Sequence, residues 1–245
     1  MSTALAFLIA VAAPATELRD LSTDRPDITE SARSVDAGHF QAEIDAARLV
    51  RDEGQSSYSL LGSNLKFGLT SFWDVQLVLE PVVAASDGDV GPGDVTLRTK
   101  FNLFGNDGDT ALALMPWIKA PTAGSRGNGA WEGGLIAPLG FELPLEFSGG
   151  LMLELDRMGN ESGDGHHFEM LTSATLGHAL VGDLSTFVEL AGTASAEAGS
   201  DYVLVCDAGP VWLVTPTLQL DGGVGLGLTD AAEDLFVFSG ISFKF

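Results

Sequence analysis

The sequence contains little cysteine, few basic residues and no long hydrophobic run. Its single cysteine, Cys206, excludes an intramolecular disulfide and a multi-cysteine zinc site. The 12 Lys and Arg residues face 34 Asp and Glu residues, a formal net charge of -22, so there are too few bases to neutralise nucleic-acid phosphates. No stretch reaches the roughly 18 apolar residues of a transmembrane helix. These absences argue against a disulfide scaffold, a nucleic-acid-binding protein and a helical membrane protein.

A large hydrophobic fraction accompanies this acidity. Hydrophobic residues make up 45% of the 245 residues, and there are 30 glycines. This combination is awkward for a compact soluble core, but it suits a structure with one lipid-facing surface and one watery lumen. Adaptation to high salt is an alternative explanation of the charge.

Residues 1–15 have the features of an export signal. Leu5 to Ala13 form a short apolar core, and Ala13-Pro14-Ala15 offers small residues for cleavage before Thr16. The stretch before the core has no Lys or Arg, so either the true start lies upstream or the signal is atypical. A buried N-terminal helix is the alternative interpretation.

Apolar residues recur at every second position in many short segments, as expected of β-strands. At the end of the chain, Ile241, Phe243 and Phe245 alternate with Ser242 and Lys244. No charged residue falls on the apolar side of the clearest runs, which begin at Trp73, Val95, Phe147, Leu184 and Leu218. A Lys or Arg at mid-bilayer on the lipid face of a barrel would cost roughly 2–4 kcal/mol. The pattern therefore favours apolar faces that meet lipid.

These runs, together with weaker ones, predict about 12 strands of the length of transmembrane β-strands. Short turns alternate with connections that are generally longer, as in outer-membrane barrels. We therefore predict an all-β fold, a transmembrane antiparallel β-barrel of the Gram-negative outer-membrane type over residues 38–245. A soluble β-sandwich or lipocalin-like barrel would share the periodicity with its apolar face inward. Three prolines fit poorly and require bulges or different boundaries: Pro116, Pro138 and Pro210. The predicted strands are 38–50, 57–69, 72–82, 94–104, 110–121, 132–143, 147–156, 167–179, 184–195, 202–213, 218–229 and 235–245.

The sequence resembles a known family at several points. The stretch Asp24-Arg-Pro-Asp-Ile-Thr-Glu-Ser31, followed by Gly38-His-Phe-Gln41 and Glu43, is similar to the opening of the outer-membrane barrels named after the meta-pathway of phenol degradation. Gly93-Asp-Val95 with Lys100-Phe101, Lys119-Ala-Pro-Thr122 and the last strands also match, so the resemblance covers most of residues 22–245. It implies a Gram-negative outer-membrane barrel that transports small compounds, with hydrophobic compounds as one candidate class.

Alternation places many charged residues on the inner face of such a barrel, where a buried charge needs a partner or water. They could line an aqueous, cation-favouring pathway, or they could fill a narrow barrel with ion pairs, and about 12 strands permit either. Lys66 and Lys244 also belong to the inner face. The predicted lumen-lining bases are Arg98, Lys100 and Lys119, and the predicted lumen-lining acids are Asp74, Glu80, Glu142, Glu154, Asp156, Glu169, Glu189, Asp207 and Asp221.

Residues 16–37 form a polar segment before the first strand. Within it Asp24, Arg25, Pro26 and Asp27 are candidates for a plug, because Arg25 could pair with acids of the lumen. A periplasmic extension is the alternative. The glycines at positions 223, 225 and 227 share one strand face and should leave a smooth inner patch on which a segment or ligand could lie.

The sequence offers no catalytic or metal motif. None of the four histidines has Ser two residues later, as a barrel lipid hydrolase would need, and no Gly-x-Ser-x-Gly occurs. We therefore predict a non-enzymatic outer-membrane channel or transporter for a small solute, without cofactor or metal. The expected partners are outer-membrane lipids, the solute, and the barrel assembly machinery through the C-terminal strand that ends at Phe245. A non-conducting structural or surface-binding barrel is the alternative, and a lipid hydrolase ranks third.

Overall fold

The computed structural model describes residues 18–84 and 88–245, so the predicted export signal lies outside the described residues. No helix in these ranges is long and apolar enough to cross a membrane. The ranges contain one antiparallel sheet that is closed, because its first strand pairs with both the second and the last. Its strands are β1 (Phe40–Asp52), β2 (Gln55–Thr70), β3 (Trp73–Leu79), β4 (Val82–Ala84), β5 (Val90–Gly91), β6 (Val95–Phe104), β7 (Thr110–Ala120), β8 (Glu132–Leu143), β9 (Phe147–Gly159), β10 (His166–Val181), β11 (Leu184–Ser195), β12 (Val203–Thr215), β13 (Leu218–Gly227) and β14 (Leu235–Lys244).

These 14 strand segments form 12 transmembrane strands, because two of the transmembrane strands are each divided into two segments. β3 and β4 both pair with β2 in one unchanged register and are separated at Glu80-Pro81. β5 continues β6 in the same way, since it pairs with β4 in the register that β6 keeps with β3. The prediction of a barrel with about 12 strands is therefore confirmed. The predicted strand 72–82 is wrong in one detail, because the backbone leaves the ladder at Pro81, which has no N–H to donate.

The three prolines lie within strands, and each interrupts the ladder on one side only. Pro116 pairs with Leu135 of β8, while pairing with β6 is missing beside it. Pro138 likewise pairs with β9 and breaks the ladder to β7, and Pro210 pairs with β11 and breaks the ladder to β13. Each proline thus removes a donor from one neighbour without ending its strand.

The apolar face of the sheet points outward. Leu77, Leu97 and Leu153 are 37%, 54% and 42% exposed, the opposite of a soluble β protein. Phe245 is exposed as well, whereas the neighbouring Lys244 is buried on the inner face. The largest fully buried side chains are mostly polar or charged: Lys66, Lys100, Met115, Gln76, Glu43, Glu189, Asp74, Pro138 and Ser242. This arrangement is that of a barrel in lipid.

The two ends of the barrel differ in their connections. At the end where β1 begins, which we call the turn end, strands are joined by short turns such as Ser71-Phe72 and Gly182-Asp183. At the opposite end, the loop end, most connections are longer. The β1–β2 hairpin is an exception, because its two-residue turn, Glu53-Gly54, has φ values of 47° and 79°, as a tight hairpin requires.

The predicted smooth glycine patch is not free, which corrects the sequence-based expectation. Phe236 and Phe238 of β14 point inward and cover Gly225 and Gly223 of β13. A Cβ on Gly225 would lie 1.9 Å from Cζ of Phe236. The two rings and Phe187 form a buried cluster, so the glycines make room for aromatic side chains of the barrel itself.

Candidate functional site

Residues 18–37 form a re-entrant loop that enters the barrel from the turn end and returns to it. At its neck, Nε of Arg19 lies 2.6 Å from Oδ1 of Asp36. Farther in, the Ser22 and Ser31 hydroxyls lie 2.6 Å apart and join the two limbs. Residues 24–30 make the tip, whose contacts reach strands on several sides of the wall.

A glycine of the wall permits the return of this loop to β1. Ala37 forms an isolated parallel bridge with Gly68 of β2, and Gly38 donates from its backbone N–H to the Gly68 carbonyl at 2.8 Å. A Cβ on Gly68 would lie 2.0 Å from the Asp36 carbonyl oxygen. The backbone of the loop can therefore reach the wall only because position 68 has no side chain.

Three inward bases, Lys66, Arg98 and Lys100, form what we call the basic cluster, and carboxyl groups of the loop occupy it. Nζ of Lys100 lies 2.5 Å from Oδ1 of Asp24, and Lys66 donates to Oδ2 of the same carboxylate. Arg98 contacts Glu30 at 2.5 Å. Burial opposes the ionisation of Asp24, but Lys100 and Lys66 outweigh burial and hold the pKa of Asp24 below its ordinary value.

The next loop residue, Arg25, binds acids on another part of the wall. Its guanidinium lies 2.6 Å from Oδ1 of Asp221 and also contacts Asp45. Gly240 leaves space for it, because a Cβ there would lie 2.2 Å from Nη2 of Arg25. Asp24 and Arg25 thus match wall charges of opposite sign.

Glu189 of β11 holds the backbone of the tip. Its carboxylate accepts hydrogen bonds from the N–H groups of Ile28 and Thr29 at 2.5 and 2.7 Å, and from the Thr29 hydroxyl. The Thr29 hydroxyl also lies 2.6 Å from Oγ of Ser173 on β10. Glu189, which the sequence predicted to line the lumen, thus binds the re-entrant loop and does not face an open lumen.

The returning limb is held by polar contacts near the turn end. Asp74 of β3 accepts from the Val35 N–H at 2.9 Å, and Asn106 accepts from the Ser34 N–H at the same distance. Lys244 contacts Asp36 at 2.9 Å. These contacts fix the direction in which the chain enters β1.

Two acids of the wall, Glu189 of β11 and Asp207 of β12, lie near Asp27 of the tip. Asp27 lies among Glu189 and Asp207, and burial, followed by the charge of Glu189, raises the pKa of Asp27 to about 8. Oδ1 of the buried Asp207 has no hydrogen-bond partner within residues 18–84 and 88–245. Over the same ranges, no group of three or more His, Cys, Asp and Glu residues is arranged to hold a metal ion.

The remaining predicted lumen residues lie elsewhere on the wall. Lys119 pairs near the loop end with Asp94 at 3.2 Å and with Glu132 at 2.5 Å, so the structure does not bring it together with Arg98 and Lys100. Glu154 and Asp156 accept hydrogen bonds from the Trp117 indole N–H at 3.0 and 3.1 Å. Glu169 contacts His167 at 3.0 Å. Glu80 lines a cavity beside Arg98, and Glu142 lines a cavity at the turn end.

The re-entrant loop lies between two polar cavities. One, of about 590 Å³, opens at the turn end and is lined by Arg19, Arg33 and Glu142 among others. The second, of about 230 Å³, lies beyond the tip and is lined by Asp24, Glu30 and residues of β1–β3 and β6. The loop therefore stands in the middle of the lumen.

Sequence reasoning found some residues of this site and missed others. It selected Asp24, Arg25, Pro26 and Asp27, which all belong to the tip. It did not single out Glu30 as a site residue, although Glu30 stands in the same stretch, residues 24–31, and contacts Arg98. It also gave Asp36 no role, because nothing in the sequence indicates that this residue would return to meet Arg19 and Lys244.

The barrel is similar to two solved outer-membrane structures. The structure described as the COG4313 outer membrane channel from Pseudomonas putida F1 has a TM-score of 0.62 and 14% sequence identity, over 88% of this chain and 98% of that chain. The structure described as the NanC porin has a TM-score of 0.58 and 12% identity, over 85% of this chain and 100% of that chain. No curated protein matches the sequence. The fold is therefore that of an outer-membrane β-barrel.

The sequence itself assigns the family. The family described as "Putative MetA-pathway of phenol degradation" matches residues 23–245, which include the loop tip and the whole barrel. The chain belongs to this family, as the stretch Asp24-Arg-Pro-Asp-Ile-Thr-Glu-Ser31 indicated. The predicted location in the cell outer membrane is also confirmed.

Proposed function

We propose that the protein is a passive channel for a small solute and that the re-entrant loop closes it. The observation that carries this proposal is the position of the loop between two polar cavities. A solute in one cavity would reach the other once the tip moved aside. The family description makes a hydrophobic or aromatic compound one candidate cargo, and the wall around it is predominantly acidic.

The chemistry of the loop contacts supports a movable closure. The tip is held mainly by ion pairs and by hydrogen bonds to Glu189, and water can replace such contacts when the loop leaves. Apolar contacts are few, with Ile28 against one small cluster and Ala32 against another. A permanent core element would ordinarily bury larger apolar surfaces.

A reversible cross-link between loop and wall tests the proposal. The hydroxyls of Thr29 and Ser173 lie 2.6 Å apart, close to the separation of about 2 Å between disulfide sulfurs. We would combine Thr29→Cys and Ser173→Cys with Cys206→Ala, and measure planar-bilayer conductance before and after reduction. Oxidised protein should carry little current, and reduction should restore it to the level of the Cys206→Ala parent.

The matched control cross-links the loop to itself. Ser22→Cys and Ser31→Cys, also 2.6 Å apart at their hydroxyls, join the two limbs without attaching the tip to the wall. This variant should conduct in both redox states. Equal, negligible current in the parent and in both forms of each variant would instead favour a barrel that the loop fills permanently.

The remaining partners follow from the same proposal. The two solved structures compared above are described as a porin and a channel, which supports a transport role rather than an enzymatic one. We expect the terminal strand β14, with Phe245 at its end, to be the part that the barrel assembly machinery engages. Deletion of Phe245 should lower the amount of assembled barrel in the membrane.

A further inference from the structure

The basic cluster stands out in a lumen whose other charged groups are mostly acids. We propose that Lys66, Arg98 and Lys100 form a recognition site for a small organic carboxylate, and that Asp24 of the re-entrant loop occupies this site as an internal mimic of the solute. This inference rests on the proposed channel function and adds the chemical class of its cargo.

The contacts of Asp24 are those expected for a bound carboxylate ligand. Each oxygen of Asp24 accepts from a different lysine, Oδ1 from Lys100 and Oδ2 from Lys66. Nη2 of Arg98 lies 3.9 Å from Oδ2. Charge-assisted hydrogen bonds of this kind are the strong ones, and they recognise the carboxylate rather than the chain that carries it.

The charge balance of the site depends on the loop. On the wall, Glu43 contacts Lys66, and Asp74 stands opposite Lys100 in the β3–β6 ladder. The loop adds the carboxyl groups of Asp24 and Glu30, which contact Lys66, Lys100 and Arg98 directly. When the tip leaves, the bases lose these partners, and an uncompensated buried charge is costly. A solute carboxylate would restore the balance.

The site also contains unused hydrogen-bonding capacity. Within the part of the chain that the structure describes, Nε of Arg98 and Oδ1 of Asn64 are buried without a hydrogen-bond partner. Both residues line the cavity of about 230 Å³ that adjoins Asp24 and Glu30. Nε of Arg98 is thus a donor left for the carboxylate of a ligand, whereas Oδ1 of Asn64 can only accept a hydrogen bond.

The test measures the binding of succinate to the full-length protein in detergent by titration calorimetry at low salt, since salt screens charge interactions. Its uncharged diamide, succinamide, serves as the matched probe. The variant Asp24→Asn/Glu30→Gln removes both loop carboxylates and should bind succinate at least tenfold more tightly than the parent. Succinamide should bind to neither protein.

Two further substitutions in the double variant locate the site. Lys100→Met should weaken succinate binding at least tenfold. Arg157→Met removes an exposed base at the loop end of β9 and should leave binding unchanged. Equal affinity in the parent and the double variant, or tight binding that survives Lys100→Met, would overturn the proposal.

A second measurement leaves the charges of the site intact. In Thr29→Cys/Cys206→Ala protein, succinate should accelerate labelling of the thiol at position 29, because it competes with Asp24 and displaces the tip, whereas succinamide should not. Labelling that succinate leaves unchanged contradicts the proposal even where the double variant does not fold. Conductance without succinate binding would refute the carboxylate site alone, and succinate binding without conductance would refute the channel alone.

Discussion

Arg19 and Asp36 are joined by an ion pair of 2.6 Å that closes the neck of the re-entrant loop. The two side chains are 21% and 12% exposed, and Lys244 contacts the same carboxylate. The pair thus brings together the two limbs of the loop at the turn end, where the chain enters and leaves the lumen. Its strength should influence how often the tip leaves the wall.

The neck provides the first prediction. Because the ion pair is partly exposed, Arg19→Ala should weaken closure by about 0.5–1 kcal/mol, a two- to fivefold gain in the open population. The labelling rate of a cysteine at position 29, in the Cys206→Ala background, measures this population. Arg33→Ala is the control, since Arg33 donates to the Gly108 carbonyl and should change the rate less. An equal effect of both variants would contradict the role of the neck.

The second prediction concerns pH. Burial and the charge of Glu189 raise the pKa of Asp27 to about 8, whereas a carboxyl in water titrates near pH 4. The inserted loop therefore binds this proton more tightly than the released loop does. The contribution of Asp27 to insertion should be largest below about pH 4, weaken as the pH rises from 4 to 8, and level off above 8.

The groups that face Asp27 are Thr175 on β10, Glu189 on β11 and Asp207 on β12. Labelling at position 29, with rates corrected for thiol ionisation, should therefore increase between pH 5 and pH 8.5. Asp27→Asn should remove most of this increase. A smaller slope should remain from Glu30, whose pKa burial raises to about 7 against the opposing charge of Arg98. An unchanged slope in Asp27→Asn would show that another group titrates.

The third prediction concerns the glycines beneath the inner phenylalanines. Gly225→Ala places a Cβ against the Phe236 ring, and such overpacking costs roughly 1–3 kcal/mol. The thermal unfolding midpoint in detergent should fall accordingly. Gly140→Ala is the matched control, because a Cβ at position 140 meets no atom within 4 Å. Adding Phe236→Leu, which replaces the ring with a smaller side chain, should restore part of the unfolding midpoint that Gly225→Ala loses. If the midpoint is not restored, this packing is contradicted.

The fourth prediction tests the outward orientation. Leu153, in the middle of β9, is 42% exposed on the face assigned to lipid, so Leu153→Arg should destabilise the barrel by about 2–4 kcal/mol. Leu145, which is 82% exposed in a turn, should tolerate Leu145→Arg with a cost of roughly 0–1 kcal/mol. Reversible urea unfolding in lipid vesicles measures both. Equal costs would contradict the assigned membrane position.

Much of the wall could be predicted from the sequence because strand geometry is local. Alternate side chains point to opposite faces, so Leu97 and Leu153 had to lie opposite Arg98 and Glu154 once the strands were assigned. The break at Pro81 was missed because apolar residues continue on both sides of it. The covering of Gly225 by Phe236 was missed because register between neighbouring strands decides which side chains meet.

The sequence by itself determined the barrel, through the apolar faces of period two, the turns between strands, and the polar and charged residues on the opposite face. Only the tertiary structure decided where the N-terminal segment lies and which charges it satisfies. Arg25 and Asp221 are 196 positions apart, and Asp24 meets bases of two different strands. Such pairings depend on the closure of the sheet, which brings distant strands around one lumen, and no local pattern of residues encodes them.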